Sequence, residues 1–342
     1  MNFGTTILAL LCVAFLTFSE LAVFAEDVPW LSNVNQPPIV VPDQSAGRFT
    51  DLLRLENGQR ISTVDGWKQQ RVVLRQAWRE FLGPMPETRP EVRLELLSTE
   101  VIGQVTRQLI RYEGEPDLFV EAFLLLPSPF EGEPAEFRTE APLPAIIALH
   151  PTTDVSIDEI AGVSGRDEMH SGLKLAQAGY VVLCPRCFLW QNAASLNDAV
   201  EQHRQRHRGT LGMAKMLYDA MRSVDILESL PSVDKTRIGA FGHSLGAKEV
   251  LYLAAFDERI TASVASEGGL GYRSTNWSAP WYLGTAIDEA EFPLNHHQLI
   301  AMIAPRPFLV LGGESGPGAA DGDRSWTILN PARDVWELYD PV

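Results

Sequence analysis

Gly242-His243-Ser244-Leu245-Gly246 is the segment whose residue types and spacing announce chemistry most directly. It is a G-x-S-x-G pattern, in which a serine sits on a sharp turn from strand to helix. The short apolar run Ile238–Phe241 precedes it and the apolar stretch Leu245–Phe256 follows, as that turn requires. Side chains at Gly242 and Gly246 would collide with neighbouring backbone. The turn lifts Ser244 above the sheet edge, and a helix N-terminus beneath it supplies partial positive charge and free N–H groups. The chemistry implied is nucleophilic attack by the Ser244 hydroxyl. That needs a base to take its proton and donors to hold the developing oxyanion. The N–H of Leu245 is one candidate donor. The second is expected from His150-Pro151-Thr152-Thr153, after the apolar run Ala145–Leu149; Pro151 has no N–H, which leaves Thr152. His150 reads as a support that holds this turn.

Two further groupings invite chemistry. Cys184-Pro185-Arg186-Cys187, then His203 and His207, fits the spacing of a Cys₂His₂ zinc site. The flanks serve a larger fold and not a zinc-finger hairpin and helix, so no metal is assigned; Cys184 and Cys187 are expected as buried thiols or a disulfide. The second grouping runs from Glu267 to Trp277. Tyr272 and Trp277 could stack on sugar rings there and Arg273 could pair with a carboxylate, or the aromatics could pin the loop to the core.

The elements that must position these residues follow from periodicity. A helix is expected over Gly66–Leu82, stopped by Gly83-Pro84, and then strands over Val92–Leu97, Val105–Tyr112 and Leu118–Leu126. From Ala145 onward buried strands alternate with helices. Strands are expected at Ala145–Leu149, Tyr180–Leu183, Arg237–Phe241, Ile260–Ala265 and Pro307–Leu311. Helices are expected at Met169–Ala178, Leu211–Leu230, Leu245–Phe256 and Arg324–Tyr339, the last with a break near Pro331. This alternation implies an α/β class with a mainly parallel, doubly covered sheet.

The chain has 342 residues, a formal charge of −16 and 45% apolar residues, which is ordinary globular composition. The acidic balance argues against nucleic acid as a partner, and three cysteines do not build a disulfide scaffold. Ile7–Phe18 is nearly unbroken apolar sequence, followed by Val23 and Ala25 around Phe24 and then Glu26-Asp27. Residues 1–25 therefore read as a signal peptide, the mature protein as exported (periplasmic or secreted), and no later stretch as a membrane span. Residues 26–90 read as a lead-in and first helix, and 91–342 as the α/β domain.

Several segments together resemble the dienelactone hydrolase and acetyl xylan esterase branch of the α/β-hydrolase superfamily. They are Leu149–Thr153, Gly165–Glu168, Leu175–Leu183, Gly212–Met216, Arg237–Gly239, Gly242–Lys248 and Ile303–Pro307. The resemblance implies an α/β-hydrolase fold with Ser244 as nucleophile and no cofactor. It implies esters as substrates, often acetyl or uronoyl esters of polysaccharides. The reading is a serine-dependent carboxylic ester hydrolase that forms an acyl-serine on small acyl or carbohydrate esters. The alternatives are a catalytically inactive carbohydrate-binding relative and a serine peptidase of the same fold.

The resemblance also places the triad acid after strand Pro307–Leu311, in the loop leading to the next helix. Asp321 is chosen there, with Glu314 and Asp323 as alternatives; Asp323 could equally cap the following helix. The base histidine should follow the acid. All seven histidines lie upstream: His150, His170, His203, His207, His243, His296 and His297. His243 should point away from the serine, and His296 and His297 read as surface residues. A C-terminal strand, histidine loop and helix are therefore expected to be missing from the domain. The expected outcome is that purified residues 26–342 turn over p-nitrophenyl acetate far below the ~10 s⁻¹ typical of enzymes. A turnover near that value would show that an upstream histidine serves as base.

Overall fold

The structure, a computed structural model, describes residue 38 and residues 49–55, 57–128, 141–313, 315 and 318–339. The expected signal peptide and the alternative acid Glu314 lie outside the described residues.

Eight strands form one sheet in the order β1-β2-β3-β5-β4-β6-β7-β8. The strands are β1 (Leu94–Ile102), β2 (Val105–Glu115), β3 (Leu118–Pro127), β4 (Leu143–Leu149), β5 (Val181–Pro185), β6 (Val233–His243), β7 (Ile260–Ser266) and β8 (Phe308–Leu311). β1, β2 and β3 are an antiparallel meander, and β3 joins β5 antiparallel. β5, β4, β6, β7 and β8 are mutually parallel. Every strand expected from the sequence is present. All C-terminal ends of the parallel strands therefore lie along one edge, where loops meet.

Eight α-helices accompany the sheet among the described residues: α1 (Val64–Leu82), α2 (Ile157–Ile160), α3 (Ser171–Gln177), α4 (Leu196–Arg206), α5 (Gly212–Ser229), α6 (Leu245–Phe256), α7 (His296–Ile303) and α8 (Trp326–Glu337). α1 starts where the Thr63 hydroxyl accepts the Gly66 N–H and ends at Gly83, whose φ is 87°. It buries Trp67, Leu74, Trp78 and Leu82. On one sheet face, Val224 and Leu227 of α5 and Val250 and Leu253 of α6 pack on Ile147, Leu183 and Ile238. On the other, Ile157, Ile160 and Ala176 cover Ala148, Val182 and Cys184.

Several expectations change. α2, α4 and α7 lie outside the helices expected from the sequence. The polar stretch of α4 lacks a continuous apolar stripe, and α7 is a short helix fixed by an Asn295–Gln298 capping box. No break appears at Pro331, which lies inside α8. The sheet is not covered on both faces throughout: a groove of about 620 Å³ runs across β4, β6, β7 and β8 between Leu175 and Trp336. No described helix is long and apolar enough to cross a membrane.

His296 and His297 are fully buried and not on the surface. The His296 ring stacks on Trp78 and meets Tyr252, Tyr272 and Trp277 edge-on. Nδ1 lies 2.7 Å from the Leu270 carbonyl and Nε2 3.0 Å from the Tyr252 hydroxyl. Burial lowers His296 to about 3, His297 to about 4 and His150 to about 4. In the unfolded chain such a ring takes a proton near 6.5, so below that pH the unfolded state binds more protons. Stability contributed by the neutral rings is thus complete above 6.5 and is lost as pH falls towards 4. Each ring costs about 2 kcal/mol by pH 5. Urea midpoints should fall steadily between pH 7 and pH 5; an unchanged midpoint would mean that these rings are protonated in the folded protein.

Candidate active site

The elbow forms as the glycine spacing requires. Ser244 adopts φ 55° and ψ −111°, a left-handed region that side chains rarely occupy. A Cβ on Gly242 would lie 2.3 Å from the Gly246 carbonyl carbon, and one on Gly246 would lie 2.1 Å from the Leu149 oxygen. Both approaches are closed to any other residue. The Ser244 N–H donates to the Ser266 carbonyl at 2.8 Å, which ties the turn to the end of β7. Leu245 opens α6, so its N–H belongs to the helix donors that have no intrahelical acceptor.

Ser244 opens into a polar cavity of about 410 Å³. Thr152 and Thr153, Glu159, Arg166, Met169 and His243 are among its walls. Thr152 and Ser244 thus line the same cavity. His243 shares this cavity and does not point wholly away from it; its Nδ1 is 3.1 Å from the Ser266 hydroxyl. Burial lowers the His243 pKa, and the nearby Glu267 charge opposes that shift. His150 is buried. Its Nδ1 lies 2.8 Å from the Pro151 carbonyl, and its Nε2 accepts the Cys187 N–H at 3.1 Å and meets the Ser156 hydroxyl at 3.2 Å. The ring thus ties the turn after β4 to the turn after β5.

Asp321 is fully buried, with its carboxylate filled from the neighbouring loop. It accepts the Gly269 and Leu270 N–H groups, each at 2.9 Å, and the Ser325 hydroxyl at 2.7 Å. Asp323 sits inside the 3₁₀ turn Gly322–Ser325 and does not cap it. Glu267 is a carboxylate at the end of the strand next to the elbow strand. His243 and Ser266 are register partners at the ends of β6 and β7, so Ser244 and Glu267 leave adjacent strands side by side. Glu267 has φ 54°. Its carboxylate accepts the Gly313 N–H and those of Ala320 at 2.7 Å and Asp321 at 3.0 Å. Burial alone would raise its pKa. The Ala320, Gly313 and Asp321 amides outweigh that, with help from His243, and hold the carboxyl below its usual range. The signal was available: a carboxylate directly after the strand that neighbours the elbow strand.

One turn along α6 from Ser244, Lys248 is buried beneath the same loop. Its Nζ donates to the Gly268 carbonyl and lies 4.8 Å from the Trp277 ring centroid and 5.4 Å from that of Tyr282. Burial lowers it to about 8, partly opposed by Asp321. Tyr272 and Trp277 are buried; their polar atoms donate to the Leu294 and Gly269 carbonyls. They pin the loop and leave no face for a sugar, while Arg273 is exposed. Cys184 and Cys187 are buried and free, without a disulfide. Cys184, Cys187, His203 and His207, noted for their spacing, do not form a metal-binding group: among the described residues no group of three or more His, Cys, Asp or Glu side chains could hold a metal.

The parallel order of β5-β4-β6-β7-β8, with a serine elbow between β6 and α6, decides the architecture. The protein has the α/β-hydrolase fold. Residues 139–299 match the model of the dienelactone hydrolase family. The glucuronoyl esterase of Solibacter usitatus superposes on this chain with a TM-score of 0.67 at 20% identity, covering 86% of this chain and 87% of that one. Hydrolase YtaP of Bacillus subtilis (strain 168) is 25% identical over 194 residues, 54% of this chain and 60% of its own. The 4-O-methyl-glucuronoyl methylesterase 1 of Sodiomyces alcalophilus is 27% identical over 158 residues, 36% of this chain and 30% of its own. The matched region thus spans less than two thirds of either relative.

Replacing Asp321 by Ala leaves two buried amides and the Ser325 hydroxyl without an acceptor. The expected cost is about 3 kcal/mol of unfolding free energy. Denaturant titration measures it, and a loss below about 1 kcal/mol would show that Asp321 does not brace the loop.

Proposed function

We propose that this α/β-hydrolase is a serine-dependent carboxylic ester hydrolase that acts on carbohydrate esters. The observation that carries the reading is Ser244 in its strained elbow conformation, at the mouth of a polar cavity and on the N-terminus of α6. In this reading the Ser244 hydroxyl attacks an ester carbonyl. The Leu245 and Thr152 N–H groups hold the oxyanion of the tetrahedral intermediate, whose collapse breaks the ester C–O bond, releases the alcohol and leaves an acyl-serine, and water then releases the acid. Glu267 takes the part of the triad carboxylate in place of Asp321. It leaves the strand next to the elbow, is ionised, and acts electrostatically on the one imidazole that lines the Ser244 cavity among the described residues. The glucuronoyl methylesterase relative supports sugar esters as the substrate class, and so does the scarcity of large apolar side chains around the cavity.

The competing reading is a non-catalytic carbohydrate-binding relative. His243 Nδ1 is engaged with the Ser266 hydroxyl and not with Ser244, and the lack of an imidazole hydrogen-bonded to the Ser244 hydroxyl among the described residues favours it. Exogenous imidazole separates the two. Added imidazole should accelerate p-nitrophenyl acetate hydrolysis by the protein above the imidazole-only background, and Ser244→Ala should abolish that acceleration. Glu267→Gln should lower catalysis more than Asp321→Asn once stability differences are matched. Equal acceleration by the parent and Ser244→Ala would rule out an acyl-serine.

A further inference from the structure

The Ser244 cavity holds a charged side chain that the acyl-serine chemistry leaves unused. Glu159 belongs to α2, whose Ile157 and Ile160 pack into the core with Ala148 and Val182. Residues three apart share a helix face, so Glu159 leaves α2 on another side, and there it lines the cavity. Gly165 closes over it. A Cβ at Gly165, where φ is 88°, would lie 2.8 Å from Glu159 Cγ and 3.0 Å from its Oε1. Glycine lets the backbone cover Glu159 and sets the next residue, the exposed Arg166, in the same cavity wall.

Glu159 is 6% exposed. Among the described residues, no hydrogen bond or ion pair reaches its carboxylate. The oxygens are not sealed in protein either, and the surface they keep opens on the cavity. Asp321 and Glu267, at the same edge of the sheet, are in the opposite condition, because backbone amides fill both. A nearly buried carboxylate without a partner is costly and calls for an occupant. The charges of this wall act across the cavity: burial lowers His243, the Glu267 and Glu159 charges oppose that, and Arg166 adds to it.

The chemistry of the wall selects the occupant. A carboxylate only accepts, so the occupant must bring donors. A metal ion lacks ligands, since among the described residues no group of three could hold one, and Arg166 repels a cation. A free acid would meet Glu159 and Asp154 against Arg166 alone, which already has Glu168 at 3.6 Å. An apolar acyl chain would leave the carboxylate dry and unpaired. An uncharged sugar ring satisfies every condition: neighbouring hydroxyls donate to the two carboxylate oxygens and also accept from a guanidinium. The cavity, about 410 Å³, has the size of a small-molecule site.

We propose that Glu159 is a specificity-determining residue of the Ser244 cavity, where its carboxylate accepts two neighbouring hydroxyls of the sugar ring that carries the ester and Arg166 donates to an oxygen of the same ring. The assignment rests on the ester reading for the role of the bound ring as substrate; binding of the ring itself does not need Ser244.

The test uses the full chain carrying Ser244→Ala, which forms no acyl-serine and leaves the ligand intact. The ligand is methyl (methyl α-D-glucopyranosid)uronate, a neutral sugar ester with free hydroxyls. Its tri-O-methyl ether keeps the ring and the ester and has no O–H donor. Calorimetry reads affinity, and ¹³C NMR reads the Glu159 carboxyl signal. Saturable binding with Kd of about 1 mM should move that signal. The ether, and the hydroxylated ligand on the added variant Glu159→Gln, should each bind at least tenfold more weakly. The ether comparison keeps the test decisive if Glu159→Gln does not fold. Equal binding of ether and parent ligand, an unmoved Glu159 signal, or full affinity in Glu159→Gln would overturn the proposal. So would no binding at all, or calcium uptake that moves the Glu159 signal and displaces the sugar. The imidazole assay judges the ester reading separately. If that assay shows no acyl-serine while binding still depends on Glu159, the ester reading falls and the sugar site stands; the converse result overturns the sugar site alone.

Discussion

The close approach of Gly246 to the Leu149 carbonyl is the contact on which the candidate active site depends. Helix α6 can begin directly over the end of β4 only because no side chain stands between them; a Cβ there would lie 2.1 Å from the Leu149 oxygen. That approach forces the Ser244 turn and its positive φ, and aims the first N–H groups of α6 at the space above the sheet. The cost of the turn is local and is offset by the packing of α6, every residue of which is buried.

The same edge of the sheet is then closed by carboxylates that bind backbone and not cations. Asp321 and Glu267 exchange roles across one loop junction. The chain after β8 supplies amides to Glu267, and the chain after β7 supplies amides to Asp321. Two carboxylates thereby fix two irregular segments that have no ladder hydrogen bonds of their own. Lys248, Trp277 and the neutral His296 fill the space beneath. Residues that a surface view would assign to substrate are therefore spent on holding the loop. Glu267, half-buried and less fully enclosed than Asp321, is left beside the elbow.

The sequence by itself determined the strands, the elbow and the class of fold. Each rests on local rules: runs of apolar residues, glycines at fixed offsets, and strand–helix alternation. It also put His150 and Thr152 directly after a strand, where local rules suffice to place them. Tertiary structure alone decided where the carboxylates of Asp321 and Glu267 are spent. Asp321 lies in the expected loop, yet its oxygens are consumed by Gly269 and Leu270, residues about fifty positions away. Glu267 acquires its place from the pairing of β6 with β7, which no local pattern encodes. His296 and His297 went the same way: polar by type, they are buried because an aromatic cage assembled from α1, α6 and the loop after β7 closes around His296, and Phe49 packs on His297. Local sequence fixes what a segment can form. Which side chain faces which is set by contacts between segments far apart in the chain, and burial and ionisation follow from those contacts.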